Sequence, residues 1–207
     1  ALMQPTPSRP DAVLVLRVFV LACLLQLPLA LNPGYYSHDE LQWAAHAVDG
    51  VRVPWLDLSV FQYRPLTFSL WMALSRALFD APMLFHAALV AWGSANASLL
   101  YAVGRRFGMH AWPAVVGALV FALSPYAVYT HGWVGCIADL IWLSCALLLA
   151  WGVQRIERPF AVVVLASLLT AVALLGKEAA FAIPPLLGVT WLFDGRKSKW
   201  LLAMLAS

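Results

Sequence analysis

Residues 37–40 place four chemically active side chains in a row, Ser37, His38, Asp39 and Glu40. They follow a loop-forming run at 32–36 and open a segment, up to residue 49, that has the pattern of a helix with two different faces. One face is apolar, with residues at i, i+3, i+4 and i+7: Leu41, Ala44, Ala45 and Val48. The opposite face is polar: Asp39, Gln42, His46 and Asp49. This pattern predicts an amphipathic helix that lies along a membrane surface with its carboxylates and imidazole in water.

Asp39 and Glu40 have a structural and a catalytic interpretation. Ser37-x-x-Glu40 has the spacing of a capping box, and acids in a first helical turn are stabilised by the helix dipole by a few tenths of a kcal/mol each. The catalytic interpretation makes Asp39 a general base that takes a proton from an acceptor outside the membrane. Both interpretations hold together if Glu40 caps the helix and Asp39 reacts.

Cationic side chains follow in the segment Tyr63-Arg64-Pro65 and at Arg76. A proline at the first helical position explains the segment as a simple helix start. The forked donors of a guanidinium also suit a phosphate, which makes Arg64 a candidate anion-binding residue. Arg76 either joins Arg64 at that anion or extends its side chain to lipid headgroups.

His131 and Asp139 flank a turn between two apolar runs, and Lys177-Glu178 closes a later run. We place Asp139 about two turns into a membrane span, where an ionisable side chain is costly and is either functional or paired. Lys177 is the plain structural partner for it. Lys177 and Glu178 either form a loop ion pair or place an ammonium group near a bound phosphate.

A metal site is not expected. His38 and His46 could join Asp39 as ligands, because imidazole and carboxylate both suit divalent ions, but their spacing fits no standard ligand pattern. Cys23, Cys136 and Cys145 lie in apolar runs without paired spacing, so they are expected to be buried hydrophobic residues.

The composition is that of an integral membrane protein. Hydrophobic residues make up 63% of the 207 residues, charged residues make up 11%, and the mean hydropathy is +0.81. A soluble domain carries about 25% charged residues. The apolar runs are continuous, so the predicted fold is an all-α bundle of membrane helices. We expect membrane lipids as partners, and no nucleic acid.

The sequence predicts six to seven spans. Residues 1–10 form a polar cytoplasmic tail, and residues 11–207 form the membrane domain, with a first external loop at 32–82. Pro28 is expected to kink the end of the first span, and residues 66–79 are too short and too charged to span, so they predict a surface or re-entrant helix. The predicted spans are 11–31, 83–103, 111–130, 133–154, 160–176 and 179–193. A seventh starts at residue 200 and stops after eight residues, so the sequence is expected to be a fragment or one part of a split protein.

The basic residues predict the orientation. Nine of the thirteen Lys and Arg residues belong to one set of alternate loops: Arg9, Arg17, Arg105, Arg106, Arg155, Arg158, Arg196, Lys197 and Lys199. The positive-inside rule makes this set cytoplasmic, together with the amino terminus. Seven of the ten acids then fall outside: Asp39, Glu40, Asp49, Asp57, Asp80, Asp139 and Glu178. Chemistry is therefore expected on the non-cytoplasmic face.

The order of these motifs resembles a known family. An acidic pair after the first span is followed by Tyr-Arg-Pro-Leu at 63–66, a histidine and an aspartate at the third-to-fourth turn, and Leu-Gly-Lys-Glu at 175–178. This order is similar to that of the type C (GT-C) membrane glycosyltransferases, and above all to the protein O-mannosyltransferase-like branch with its bacterial aminoarabinose transferases. The resemblance covers only the amino-terminal half or less of a typical member.

The resemblance implies a transfer reaction on the periplasmic face of a bacterial inner membrane. A sugar would pass with inversion from a polyprenyl-phosphate donor to an acceptor. Asp39, with Glu40 beside it as the second catalytic residue, would act as the base or bind the acceptor, and Arg64 and Lys177 would bind the lipid phosphate. Four further candidates for substrate binding are Glu178, His131, Asp139 and Arg76. The scheme requires no metal.

Two other functions stay open at the level of the sequence. A truncated module of this kind could be a non-catalytic structural subunit of a larger membrane complex, with protein partners. A transporter is disfavoured, because the hydrophobic segments show no inverted repeat and the ionisable residues gather at one face instead of the midplane.

Overall fold

The computed structural model describes residues 11–35, 37–57, 59 and 62–207, and this part of the chain contains eleven α-helices and no strand. The predicted all-α fold is confirmed. The predicted tail at 1–10 lies outside the described residues. The helices are α1 Ala12–Leu25, α2 Leu27–Ala30, α3 His38–Val48, α4 Pro65–Leu78, α5 Pro82–Arg106, α6 Ala111–Ala122, α7 Pro125–Gly132, α8 Ile137–Val153, α9 Pro159–Gly176, α10 Ile183–Phe193 and α11 Lys197–Ala206. Two 3-10 turns, Val134–Cys136 and Glu178–Ala182, precede α8 and α10.

Three helical segments of the described chain are long and apolar enough to cross a membrane: Pro82–Arg106, Val134–Val153 and Pro159–Gly176. A fourth candidate is the pair α6 and α7, which is bent by 57° at a short break. The chain is thus an integral membrane protein with three to four candidate spans.

This count is lower than six to seven because two predicted spans are interrupted. Gln26 leaves helical geometry at φ −102°, and Pro28 then starts the short helix α2, so α1 is only 14 residues long. Fourteen residues of helix rise about 21 Å, which is less than the hydrocarbon thickness of a bilayer. The predicted span at 179–193 begins with a 3-10 turn, which leaves 11 residues for α10.

Helix α5 lies at the centre of the bundle and packs against α1, α2, α6, α7 and α8. Its contact with α8 is polar as well as apolar. Ser144 donates a hydrogen bond of 2.7 Å to Oδ1 of Asn96 and accepts one of 2.8 Å from Trp92 Nε1. Hydrogen bonds between helices are a recognised source of helix association in membranes, where lipid supplies no hydrophobic drive between them.

The helix predicted at 66–79 is observed as α4, which joins the surface helix α3 to the bundle. Trp43 of α3 stacks on Phe68 of α4 with ring centroids 4.3 Å apart and on Trp71 at 5.5 Å. Helix α4 in turn contacts α5, α8 and α9.

The face that α3 turns towards the protein is not the predicted apolar stripe. The buried residues are Glu40, Ala44 and Ala47, whereas Leu41 and Val48 are 55% and 85% exposed. Only Ala44 belongs to both sets. A third face, which holds Glu40 and Trp43, packs against the protein because the aromatic rings of α4 lie on that side. The other three residues of the predicted stripe, Leu41, Ala45 and Val48, remain at the surface.

Candidate functional site

A cavity of about 650 Å³ brings together four of the charged residues singled out in the sequence, Asp39, Arg64, Asp139 and Lys177. They come from the starts of α3, α4 and α8 and from the residue after α9. Half of the other lining residues are aromatic: Trp43, Phe68, Trp71, Tyr126, Tyr129 and Trp133. We refer to this space as the charged cavity.

The start of α3 is held by a capping box, as predicted. The Ser37 backbone N–H donates to Glu40 Oε2 at 3.0 Å, and the Ser37 side chain accepts from the backbone of the same first turn. The other oxygen of Glu40 accepts from the Val134 N–H at 3.2 Å, and Trp133 Nε1 donates to Ser37 Oγ at 3.2 Å. Glu40 is 1% exposed and is not a lining residue of the charged cavity. Its carboxylate fixes α3 against the turn before α8.

Asp39 is the accessible member of the acidic pair. Its side chain is 42% exposed, and its carboxylate lies 3.1 Å from Nε2 of His38, which is itself 89% exposed. A carboxylate in this position can exchange protons with solvent and with a bound molecule.

Asp139 and Lys177 form an ion pair on one wall of the charged cavity. Lys177 Nζ lies 2.8 Å from each oxygen of the carboxylate, which also accepts from Tyr126 Oη at 3.0 Å and from Trp142 Nε1 at 3.1 Å. The predicted pairing is observed. Asp139 is the sixth residue of the candidate span Val134–Val153, which is close to the predicted depth, and it lies in the first turn of α8, after the 3-10 turn. An acid in this turn is favoured by the helix dipole.

Arg64 forms a second ion pair, with Glu178. Nε of Arg64 donates to Glu178 Oε2 at 2.8 Å, and a terminal nitrogen donates to Oε1, so the contact is bidentate. The hydrogen bonds from Arg64 hold the pKa of the Glu178 carboxyl below its usual range. Beside this pair, Thr67 Oγ1 donates to the Gly176 carbonyl at 2.7 Å. The start of α4 is thus tied to the end of α9 at two points.

The remaining predicted residues lie away from the charged cavity. Arg76 donates from Nε to the Ala47 carbonyl at 2.9 Å and so holds the end of α3. His46 contacts the ring of Trp43, with centroids 5.3 Å apart. In the described part of the chain, no group of three or more His, Cys, Asp or Glu side chains could hold a metal ion.

His131 is fully buried and contacts Gln26 instead of the charged cavity. Its Nδ1 lies 2.6 Å from Gln26 Oε1, within hydrogen-bond distance. Gln26 was missed by the sequence reasoning, although a lone glutamine within an apolar run is a usable signal of a buried polar contact. The pair joins the break between α1 and α2 to the end of α7.

The imidazole of His131 fits only because residue 93 is glycine. A Cβ added to Gly93 would lie 2.2 Å from Nε2 of His131. We expect Gly93→Ala to destabilise the fold by about 1–3 kcal/mol, since such a contact forces a buried ring out of position. The measurement is thermal unfolding in detergent.

The matched control is Gly117→Ala. Gly117 also lies inside a helix, α6, and nothing lies within 4 Å of a Cβ added there. Removing a helical glycine at such a site stabilises by about 1 kcal/mol at most. Equal stability of the two variants would contradict the tight packing of His131.

A second cavity of about 530 Å³ adjoins the first and shares Asp39, Tyr129 and Trp133 with it. Its other lining residues are Leu29, Ser37, Val128 and Gly132. The rings of Tyr129 and Trp133 lie 5.2 Å apart. Asp39 is therefore accessible from a charged space and from a mainly apolar one.

The arrangement can bind an anion and activate a hydroxyl or amine beside it. A carboxylate borders both cavities, two cations line the larger one, and aromatic rings offer stacking surfaces for an uncharged part of a ligand.

Comparisons of this chain with protein-family models, with curated proteins and with solved structures find no match.

Proposed function

We propose that this chain is part of a type C membrane glycosyltransferase that passes a sugar from a polyprenyl-phosphate donor to an acceptor. The observation that carries the proposal is the charged cavity, which gathers Asp39, Arg64 and Lys177 from distant parts of the sequence. A base and two cations are the groups that such a transfer needs. The order of motifs along the chain supports the same reaction.

In the proposed reaction, the acceptor loses its proton to the Asp39 carboxylate as its oxygen or nitrogen bonds to the anomeric carbon of the sugar. The bond between that carbon and the phosphate oxygen breaks on the opposite side, and polyprenyl phosphate leaves with the electron pair. Arg64 and Lys177 stabilise the negative charge that develops on the leaving phosphate. The configuration of the sugar is inverted.

The two cavities supply separate approaches to Asp39. The donor phosphate belongs in the charged cavity, because that space contains the cations. The acceptor then enters through the second cavity, whose walls are mainly apolar and whose polar groups are Ser37 and Asp39. The aromatic pair Tyr129 and Trp133 stands between the two substrates.

We place the charged cavity on the periplasmic side of a bacterial inner membrane, with the amino terminus in the cytoplasm. Helix α5 ends at Arg106, and the segment between α8 and α9 carries Arg155 and Arg158, which the positive-inside rule assigns to the cytoplasm. Helix α9 then delivers Lys177 to the outer side. The same path allows six crossings if α1 with α2, α6 with α7, and the 3-10 turn with α10 each count as a broken span.

A structural membrane module is the second candidate. Both cations of the charged cavity are already paired with carboxylates, and these pairs connect α4, α8 and the end of α9. Charges arranged in this way hold helices together whether or not a ligand binds. Ligand binding separates the two candidates.

We expect the full protein in detergent to bind geranylgeranyl phosphate more tightly than geranylgeraniol, which has the same chain without the phosphate. A hydrogen bond to a charged group contributes about 1.5–3 kcal/mol, and a factor of ten in affinity corresponds to about 1.4 kcal/mol. We expect Arg64→Gln to weaken phosphate binding about tenfold, at the lower end of that range. Isothermal titration measures both ligands.

Arg158→Gln is the matched control, because Arg158 is an exposed arginine at the start of a helix away from the charged cavity. It should leave both affinities unchanged. Equal binding of the phosphate and the alcohol, with no effect of Arg64→Gln, would contradict the transferase and favour the structural module.

A further inference from the structure

The two cations of the charged cavity are each held by a carboxylate, but the two pairs differ in how firmly the carboxylate is fixed. Asp139 is 9% exposed at its side chain, whereas the side chain of Glu178 is 60% exposed. A ligand anion that binds either cation has to compete with the carboxylate already there.

The Asp139 carboxylate is fixed by more than its cation. Tyr126 and Trp142 donate to it in addition to Lys177, so three side chains hold it in one position. Displacing this carboxylate would leave a buried acid without its partners, which is strongly unfavourable. Lys177 therefore keeps its carboxylate when a ligand binds nearby.

The Glu178 carboxylate is held differently. In the described part of the chain, Arg64 is the one side chain that donates to it. Glu178 is the exposed member of this pair, so water competes with Arg64 for its carboxylate and weakens the pair. If the Glu178 side chain rotates away from Arg64 into solvent, its carboxylate exchanges one hydrated environment for another.

The backbone at this point does not depend on the Arg64–Glu178 pair. The hydrogen bond from Thr67 to the Gly176 carbonyl and the bond from Lys177 to Asp139 hold the residues on the amino-terminal side of Glu178. Arg64 itself lines the charged cavity, and its side chain is 18% exposed. The guanidinium is therefore at the cavity wall, within reach of a ligand anion.

We propose that Glu178 is a displaceable internal anion that occupies Arg64 in the empty site and competes there with the phosphate of the ligand. A carboxylate and a phosphate each offer two oxygens to the fork of one guanidinium, so one can replace the other. A hydroxyl offers a single neutral oxygen, so an alcohol cannot replace the carboxylate at the guanidinium. Glu178 therefore determines which ligands reach Arg64 and favours release of the phosphate product when it returns.

This inference rests on the proposed function, in which Arg64 binds the donor phosphate. A competing role and a positioning role for Glu178 predict opposite effects of its carboxylate on phosphate affinity. A competitor lowers the affinity of the site for phosphate, and a positioning residue raises it. Removal of the carboxylate decides between the two roles.

The test is the affinity of the full protein in detergent for geranylgeranyl phosphate and for geranylgeraniol. Glu178→Gln is expected to raise the affinity for the phosphate about fivefold and to leave the affinity for the alcohol unchanged. Glu178→Ala is expected to act in the same direction, and Glu178→Asp, which keeps a carboxylate, is expected to stay closer to the wild type. A thermal unfolding curve for each variant checks that the fold is retained.

Suppose that the wild-type protein prefers the phosphate over the alcohol and that Arg64→Gln removes this preference. Weaker or unchanged phosphate binding by Glu178→Gln would then overturn the inference about Glu178 and leave the proposed function standing. If the wild-type protein binds the phosphate no more tightly than the alcohol, the proposed function and this inference are both overturned.

Discussion

Replacement of Asp39 by asparagine is expected to lower the proposed sugar transfer by about a hundredfold to ten-thousandfold. A positioned general base contributes a factor of this size, and asparagine has nearly the same shape but cannot take up the proton of the acceptor. The change should leave the fold intact. Ser37 and Glu40 cap α3, and the exposed Asp39 side chain contacts its neighbour His38.

The measurement is the release of polyprenyl phosphate by membranes that contain the full protein, with a panel of polyprenyl-phosphate-linked hexoses and pentoses as donors. Asp49→Asn is the matched control, because Asp49 is an exposed acid at the other end of the same helix. It should transfer at the wild-type rate. Wild-type transfer by Asp39→Asn would remove this carboxylate from the mechanism.

Local signals in the sequence predicted much of the fold. Helices α4, α5 and α9 begin at Pro65, Pro82 and Pro159 and lie within one or a few residues of the predicted bounds. A proline at the first position of a helix gives up no hydrogen bond, so it marks a helix start clearly. The capping box at Ser37 and Glu40 is equally local, and it too is observed.

Features that depend on packing were harder to predict. The protein-facing side of α3 is decided by Phe68 and Trp71 of α4, which offer rings to Trp43. Helical periodicity within α3 contains no information on where α4 lies. The break before Pro125 has the same character, since an apolar run of sufficient length looks continuous until its tertiary contacts are known. The break at Gln26 differs, because it lies beside Pro28, where a kink was expected.

The sequence predicted which charged residues form the candidate site better than it predicted which of them form ion pairs. The four charged residues of the charged cavity were all singled out for their charge, but the partner of Arg64 was not foreseen. Lys177 has an extended backbone, with φ −161° and ψ 142°. Neighbouring side chains on extended backbone point to opposite sides, so Lys177 reaches Asp139 while Glu178 reaches Arg64. A sequence motif does not reveal this divergence.

Replacement of Lys177 by methionine is expected to destabilise the protein by about 3 kcal/mol, the largest effect on stability among these changes. Removal of one partner from a buried ion pair costs about 3–5 kcal/mol, because the other charge stays behind without compensation. The lower end applies here, since Lys177 is 25% exposed and water reaches part of the pair. Unfolding in detergent, by heat or by denaturant, measures the change.

Asp139→Asn is the informative companion, because the amide oxygen can still accept from Tyr126 and Trp142 while the partly exposed Lys177 turns towards water. We expect it to cost less than Lys177→Met. The double variant should be more stable than Lys177→Met alone, since it contains no buried carboxylate without a cation, and coupling between contacting residues amounts to about 0.5–3 kcal/mol. If the two single changes simply add, the 2.8 Å contacts do not stabilise the fold, and Lys177 is held near the charged cavity by other parts of the structure.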